Sequence, residues 1–144
     1  MTEQNFKNHA RMVPMFHYVT FAAIFIPFVL SVIHFFQTLS AGSGRLCAAA
    51  TVLFIFGVIL LCWFARAFAL KAQDRAIRAE ENFRYFVAAG KTFDARLKMG
   101  QIIALRFAGD DEFVALAKKA ADENLSSKDI KMAIKNWRAD NDRA

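Results

Sequence analysis

Two long apolar runs dominate the first half of the chain, Val13–Phe36 and Cys47–Leu70. Each exceeds the ~20 residues a helix needs to cross bilayer hydrocarbon. Between them, Ser40-Ala41-Gly42-Ser43-Gly44 is small and flexible enough for a tight reversal. After Leu70 the pattern turns from apolar to amphipathic without punctuation. Residues 71–86 (KAQDRAIRAEENFRYF) are strong helix formers, and no Gly or Pro occurs between Gly57 and Gly90. Acid stands four residues before base at Asp74→Arg78 and Glu80→Arg84, a spacing that supports a helix. Residues 47–86 therefore predict one helix about 60 Å long, against about 30 Å of hydrocarbon. Half of it would stand in water.

Beyond Gly90 the pattern predicts three short helices. The first covers about 94–107, interrupted at Gly100, with Gly109 placed as a C′ residue. Asp110 caps a second, about 111–123, with Asp111 and Glu112 in its first turn and Asn124 stopping it. Ser126-Ser127-Lys128-Asp129 fits a capping box and opens a third, about 127–139. Its apolar stripe is Ile130, Ala133, Ile134 and Trp137. With Leu105, Phe107, Phe113, Leu116, Ala120 and Leu125 these residues make a small core. Such a core is thin for independent stability, so it is expected to lean on Phe83, Tyr85 and Phe86 of the long helix.

The predicted fold class is an all-α membrane protein. A two-span transmembrane helical hairpin comes first, and its second span continues as a long cytoplasmic helix followed by a small helical C-terminal unit. Residues 1–12 form a polar lead, 13–70 hold the hairpin (spans 13–36 and 47–70), and 71–144 form the cytoplasmic helical region. Pro14 suits a first helical turn. Pro27 predicts a kink level with Phe56 and Gly57, where a missing side chain would admit the bend.

Composition and charge add an orientation. The chain is 56% hydrophobic, an average over two unlike segments, and its formal net charge is +6. Lys7 and Arg11 precede the first span, Arg45 alone lies in the reversal, and Arg66, Lys71, Arg75, Arg78 and Arg84 attend the end of the second. The excess of basic residues places both termini in the cytoplasm. Arg11, His17, Arg66, Lys71 and Arg75 are expected at headgroup level, with membrane lipids as their first partner.

One pattern on the long helix is unusual. Ala65, Ala69, Ala72, Ala76, Ala79, Phe83 and Phe86 follow one another at spacings of 4, 3, 4, 3, 4 and 3. That is a heptad seam, first of alanine and then of phenylalanine. Alanine there lets a second helix approach closely, whereas helix propensity alone would also enrich alanine. The facing helix could belong to this chain or to another copy.

Residues that could carry chemistry are sparse. Cys47 and Cys62 lie about 22 Å apart along one helix, too far to bridge. His17 and His34 lie about 25 Å apart on the first span, and the second span has none, so one chain cannot ligate a haem twice. His34 is expected to hydrogen-bond Thr51 or a backbone carbonyl. Glu80/Glu81 and Asp110/Asp111/Glu112 have structural explanations as helix pairs and helix-start residues. No motif for nucleophilic catalysis, phosphate cradling or zinc binding is present. The last two predicted helices have a faint helix-turn-helix look, with Lys128, Lys131, Lys135 and Arg138 together. Asp129, Asp140 and Asp142 among them would repel phosphates, so nucleic acid is not expected. No cofactor or metal is expected either.

Four strings, residues 3–11 (EQNFKNHAR), 68–78 (FALKAQDRAIR), 104–108 (ALRFA) and 131–140 (KMAIKNWRAD), are together distinctive. The chain carrying them resembles an uncharacterised family of small two-span bacterial membrane proteins, a domain of unknown function. The resemblance covers nearly the whole chain and implies a multi-pass protein of the bacterial inner membrane, with no activity to carry over. Family members tend to have Thr or Ser where this chain has Lys98-Met99-Gly100, so that helix start is expected to be less well capped. The expected function is non-enzymatic, protein–protein interaction or scaffolding through the cytoplasmic unit, with a protein partner or a homo-oligomer. An accessory subunit of a transporter or permease is the alternative, and a haem- or redox-associated membrane protein a third.

Overall fold

The computed structural model describes residues 5, 6 and 13–140. Among these the structure is helical, with one isolated β-bridge between Ala108 and Trp137. A π-helical turn, Met15–Thr20, leads into α1 (Phe21–Ala41), and α2 follows as a single helix, Arg45–Ala89. Three short helices complete the chain: α3 (Met99–Leu105), α4 (Asp110–Asp122) and α5 (Ser127–Ala133). Two of these stretches, Met15–Ala41 and Arg45–Ala89, are long and apolar enough to cross a membrane. The chain divides into two compact units, Met12–Ala69 and a second that begins at Leu70, so residues of α2 occur in both.

In the first unit the break between the two long helices is shorter than expected. α1 continues through Phe36 and Ser40 to Ala41, and only Gly42–Gly44 separate it from α2. Gly42 and Gly44 both have positive φ, 78° and 76°, where a side chain would be strained. The Gly42 N–H donates to the Thr38 carbonyl and ends α1. The least exposed residues of α1 are Ile24, Phe28, Ser31, Phe35 and Thr38, at heptad spacing, with Val32 beside them, and those of α2 include Ala48, Val52, Ile55 and Ile59. Ser31, Thr38 and Ala48 are the buried ones, at 8%, 7% and 2% exposure, so the buried positions of this unit carry small side chains. Gly57 plays no such part, since a Cβ there would meet nothing within 4 Å. α1 runs on through Pro27.

The second unit has a true core. Phe107, Phe113, Ile102, Leu105 and Ile130 are fully buried, and Tyr85 of α2 joins them. Tyr85, Phe93 and Phe113 form an aromatic triad with ring centroids 4.6 to 6.0 Å apart. Of the three aromatic residues expected to brace the core, only Tyr85 does so. Phe83 and Phe86 are exposed.

The short helices differ from the expected ones in instructive ways. α3 starts only at Met99, because Asp94 first folds the chain into a turn by accepting the Arg96 N–H at 2.9 Å. Its start is well capped after all, by the Gln101 side chain accepting the Lys98 N–H at 2.7 Å. Gly109 is not a C′ residue but the N-cap of α4, with φ −62° and ψ 157°. A Cβ there would lie 3.0 Å from the Asn136 carbonyl, so the close approach demands glycine. Asn124, at φ 48°, ends α4 as expected, and the Ser126 Oγ caps α5 by accepting the Asp129 N–H. α5 stops at Ala133 instead of about 139. The Glu112 carboxylate takes the N–H groups of Lys135 and Asn136, both at 2.9 Å, and the strand-like return pairs Arg138 N–H with the Phe107 carbonyl at 2.8 Å. Trp137 reaches Phe107 by that return, with ring centroids 5.3 Å apart.

Candidate functional site

The part of α2 from Leu70 onward has two faces of opposite character. At about 100° per residue, Ile77, Glu81 and Tyr85 form one stripe, and all three are buried at 8%, 8% and 6% exposure. Arg84, beside that stripe, ties α2 to the start of α4. Its Nε donates to Asp110 Oδ1 at 2.8 Å, one terminal nitrogen to the Ala108 carbonyl at 2.7 Å, and the other to Glu81 at 3.1 Å. The guanidinium also lies 3.9 Å from the Phe113 ring centroid. The hydrogen bond from Arg84 holds the Asp110 carboxyl below the usual carboxylate range. Arg84 thus bonds Glu81 and Asp110, and the expected Glu80–Arg84 pair does not form. Neither does the Asp74–Arg78 pair, among the described residues.

The second face is the heptad seam. Ala65, Ala69, Ala72, Ala76, Ala79, Phe83 and Phe86 are all exposed. None of them packs into the core of the second unit. Off-seam Ala67 is half-buried.

The expected headgroup residues lie as follows in the structure. Arg11 lies outside the described residues. The His17 Nδ1 sits 2.9 Å from the Val13 carbonyl and so closes the first helical turn on its own backbone. Within the same unit the Arg66 guanidinium lies 5.4 Å from the centroid of the Phe16 ring, at the end of an apolar groove of about 570 Å³ lined also by Phe25, Phe56, Cys62 and Trp63. Lys71 and Arg75 are exposed on α2. His34 is exposed, and the Thr51 hydroxyl donates to the Cys47 carbonyl of its own helix at 2.8 Å instead of to His34.

A polar cleft of about 270 Å³ lies in the second unit, where Gln73, Glu80 and Glu81 of α2 face Arg106, Arg138 and Asp140. Arg106 is buried and pairs with Asp140 at 3.1 Å. Of the other charges there, Glu81 pairs with Arg84. Among the described residues no group of three or more His, Cys, Asp or Glu side chains is arranged to hold a metal ion.

Three residues carry the heaviest structural duty: Arg84 and Glu112, which the pattern places but with other partners, and Gln101, which it misses. Gln101 is 4% exposed, and besides capping α3 its amide donates to the carbonyls of Leu125 at 2.8 Å and Ala120 at 3.3 Å. The only sequence signal for it is a polar residue on the apolar side of a short helix.

No curated protein and no solved structure matches the chain. A family model does, over residues 1–144, and the chain belongs to the family it describes, a family of unknown function (DUF6526).

Proposed function

We propose that this is a non-enzymatic integral protein of a bacterial inner membrane whose cytoplasmic helical unit serves protein–protein interaction or scaffolding. In this reading α1 and the first half of α2 form a transmembrane hairpin, and both termini are cytoplasmic. The observation that carries it is the continuity of α2. One helix, α2, contains an apolar stretch long enough to span a bilayer and, further on, Tyr85, which joins a packed core, and Arg84, which bonds the start of α4.

The apolar exterior of the first unit supports the same reading. Leu53, Phe54, Leu61 and Trp63 are each about 70% exposed, and water would make that surface aggregate. The apolar groove beside Phe56 and Trp63 specifically favours a second reading, an accessory subunit that accepts a helix of a larger complex.

Topology reporters test the proposal. A fusion after Ala144 should read cytoplasmic and an insertion at Gly42 external; opposite signals at both would overturn it. Co-purification in mild detergent separates the two readings. A stoichiometric larger membrane partner means the accessory subunit, and its absence means the scaffold.

A further inference from the structure

We propose that the exposed face of α2 is the interface of a parallel homodimer, in which Arg75 of each copy pairs with Glu80 of the other. This rests on the membrane reading above, since a bilayer aligns all copies of the helix in one direction. Ala76 and Phe83 occupy the a positions of the heptad, and Ala72, Ala79 and Phe86 the d positions.

The phase of that face is right for a second copy. On a helical wheel its centre lies about 180° from the centre of Ile77, Glu81 and Tyr85, the buried stripe whose Tyr85 joins the chain's own core. A partner helix can therefore reach it without displacing the unit. The face is also apolar where it should be wet. Phe83, Phe86 and Val87 are 69%, 51% and 70% exposed. Alanine at the remaining seam positions lets the two axes approach to about 8 Å.

Charge then selects a copy of the same chain, in parallel, as the occupant. With the heptad so phased, Arg75 is at g and Glu80 at e, five residues on. In a parallel pair each g residue meets the e residue of the next heptad on the other helix. The two-fold axis makes that Arg–Glu contact twice. An antiparallel pair sets g against g and e against e and forms no such contact. Both charges are available for it. Arg75 is exposed, and Arg84, the helix neighbour that could neutralise Glu80, is held by Glu81 and Asp110.

Disulfide mapping in native membranes tests this on the full chain. In a background carrying Cys47→Ser and Cys62→Ser, single cysteines are placed at Ala72, Ala76 and Ala79, with exposed Arg78→Cys as the off-face control. Mild oxidation should give dimers at the three seam positions, whose Cα atoms come within about 7 Å of their own copies, and not at Arg78. Equal cross-linking at all four positions, or none at any, would overturn the dimer.

Charge exchange provides a second readout. In the Ala76→Cys chain, Arg75→Glu alone or Glu80→Arg alone should cut the cross-linked fraction about fivefold, and the double exchange should restore it. Co-expression of the two single variants should also restore it, because each supplies the charge the other lacks. Failure of both rescues rejects the pairing. Each variant is also fractionated and its topology reporters read. A chain in the membrane with cytoplasmic termini but no seam-specific cross-link defeats the dimer alone, whereas loss from the membrane defeats the membrane reading.

Discussion

The two units satisfy their polar groups in opposite ways. In Met12–Ala69 the hydroxyls of Ser31, Thr38 and Thr51 turn back onto their own helices: Ser31 to the Phe28 carbonyl and Thr38 to that of Phe35, both at 2.7 Å, and Thr51 to that of Cys47 at 2.8 Å. From Leu70 onward the polar groups cross between elements. Arg84 links α2 to α4, Gln101 links α3 to the loop after α4, and Glu112 captures the chain beyond α5. Apolar side chains follow the same division. Large ones in the first unit point outward, whereas Phe107 and Phe113 in the second are wholly buried. The lipid surround proposed for the first unit would produce this contrast, because it offers no hydrogen bonds to exposed polar groups and no penalty to exposed apolar ones. Water imposes the reverse.

The largest effect that separates the units comes from one chemical change made in each. Phe113→Ala empties a fully buried site that also holds Tyr85, Phe93 and the Arg84 guanidinium. It should cost about 3–5 kcal/mol, a large share of the stability of a unit this small. Phe54→Ala removes the same ring from a position 71% exposed on α2. In detergent or lipid that ring trades one apolar neighbour for another, and the change should be close to neutral. Thermal unfolding of both variants in the same micelle is the measurement. A comparable loss at Phe54 would mean that its face is packed against protein.

A smaller difference separates the buried polar groups. Gln101→Leu keeps the volume but leaves the Leu125 carbonyl and the Lys98 N–H without their partner, at a cost of about 2–3 kcal/mol. Thr51→Val deletes a hydroxyl whose acceptor is already in a helical ladder, and should change stability by less than about 0.6 kcal/mol. Denaturant midpoints would rank them, and a reversed order would break the contrast between the units.

How much of this was legible in the sequence follows the same division. The first unit is read from composition, since twenty apolar residues allow few alternatives, and the continuity of α2 follows from the absence of Gly and Pro after Gly57. The end of α1 was misplaced because small polar residues in an apolar surround stay helical when their hydroxyls bond locally. In the second unit the caps at Ser126 and Asn124 were readable, being local signals. The early end of α5 was not. It depends on Glu112, more than twenty residues away, taking N–H groups that a helix would otherwise have used. The seam was visible as a period, but its exposure was not. Only the packing of Ile77 and Tyr85 shows that the chain's own core takes another face.

Acid gives the smallest effect and the cleanest division, because residues 12–69 contain no Asp or Glu. In the second unit the Arg96 side chain and backbone N–H hold the Asp94 carboxyl down to about 2 from its ordinary 3.8, and Arg84 likewise lowers Asp110. A carboxyl depressed by folding stabilises the native state above its unfolded pKa and loses that contribution as pH falls through the folded value. The unit from Leu70 should therefore hold a constant melting temperature down to about pH 5, then decline between about 4 and 2. Asp94 is fully exposed, so its share is small, and Asp94→Asn should flatten only part of the decline. Each unit has its own reporter, Trp63 in the first and Trp137, stacked on Phe107, in the second. In single-tryptophan variants only the Trp137 signal should follow the acid transition. Parallel movement of Trp63 would mean that the two units unfold together.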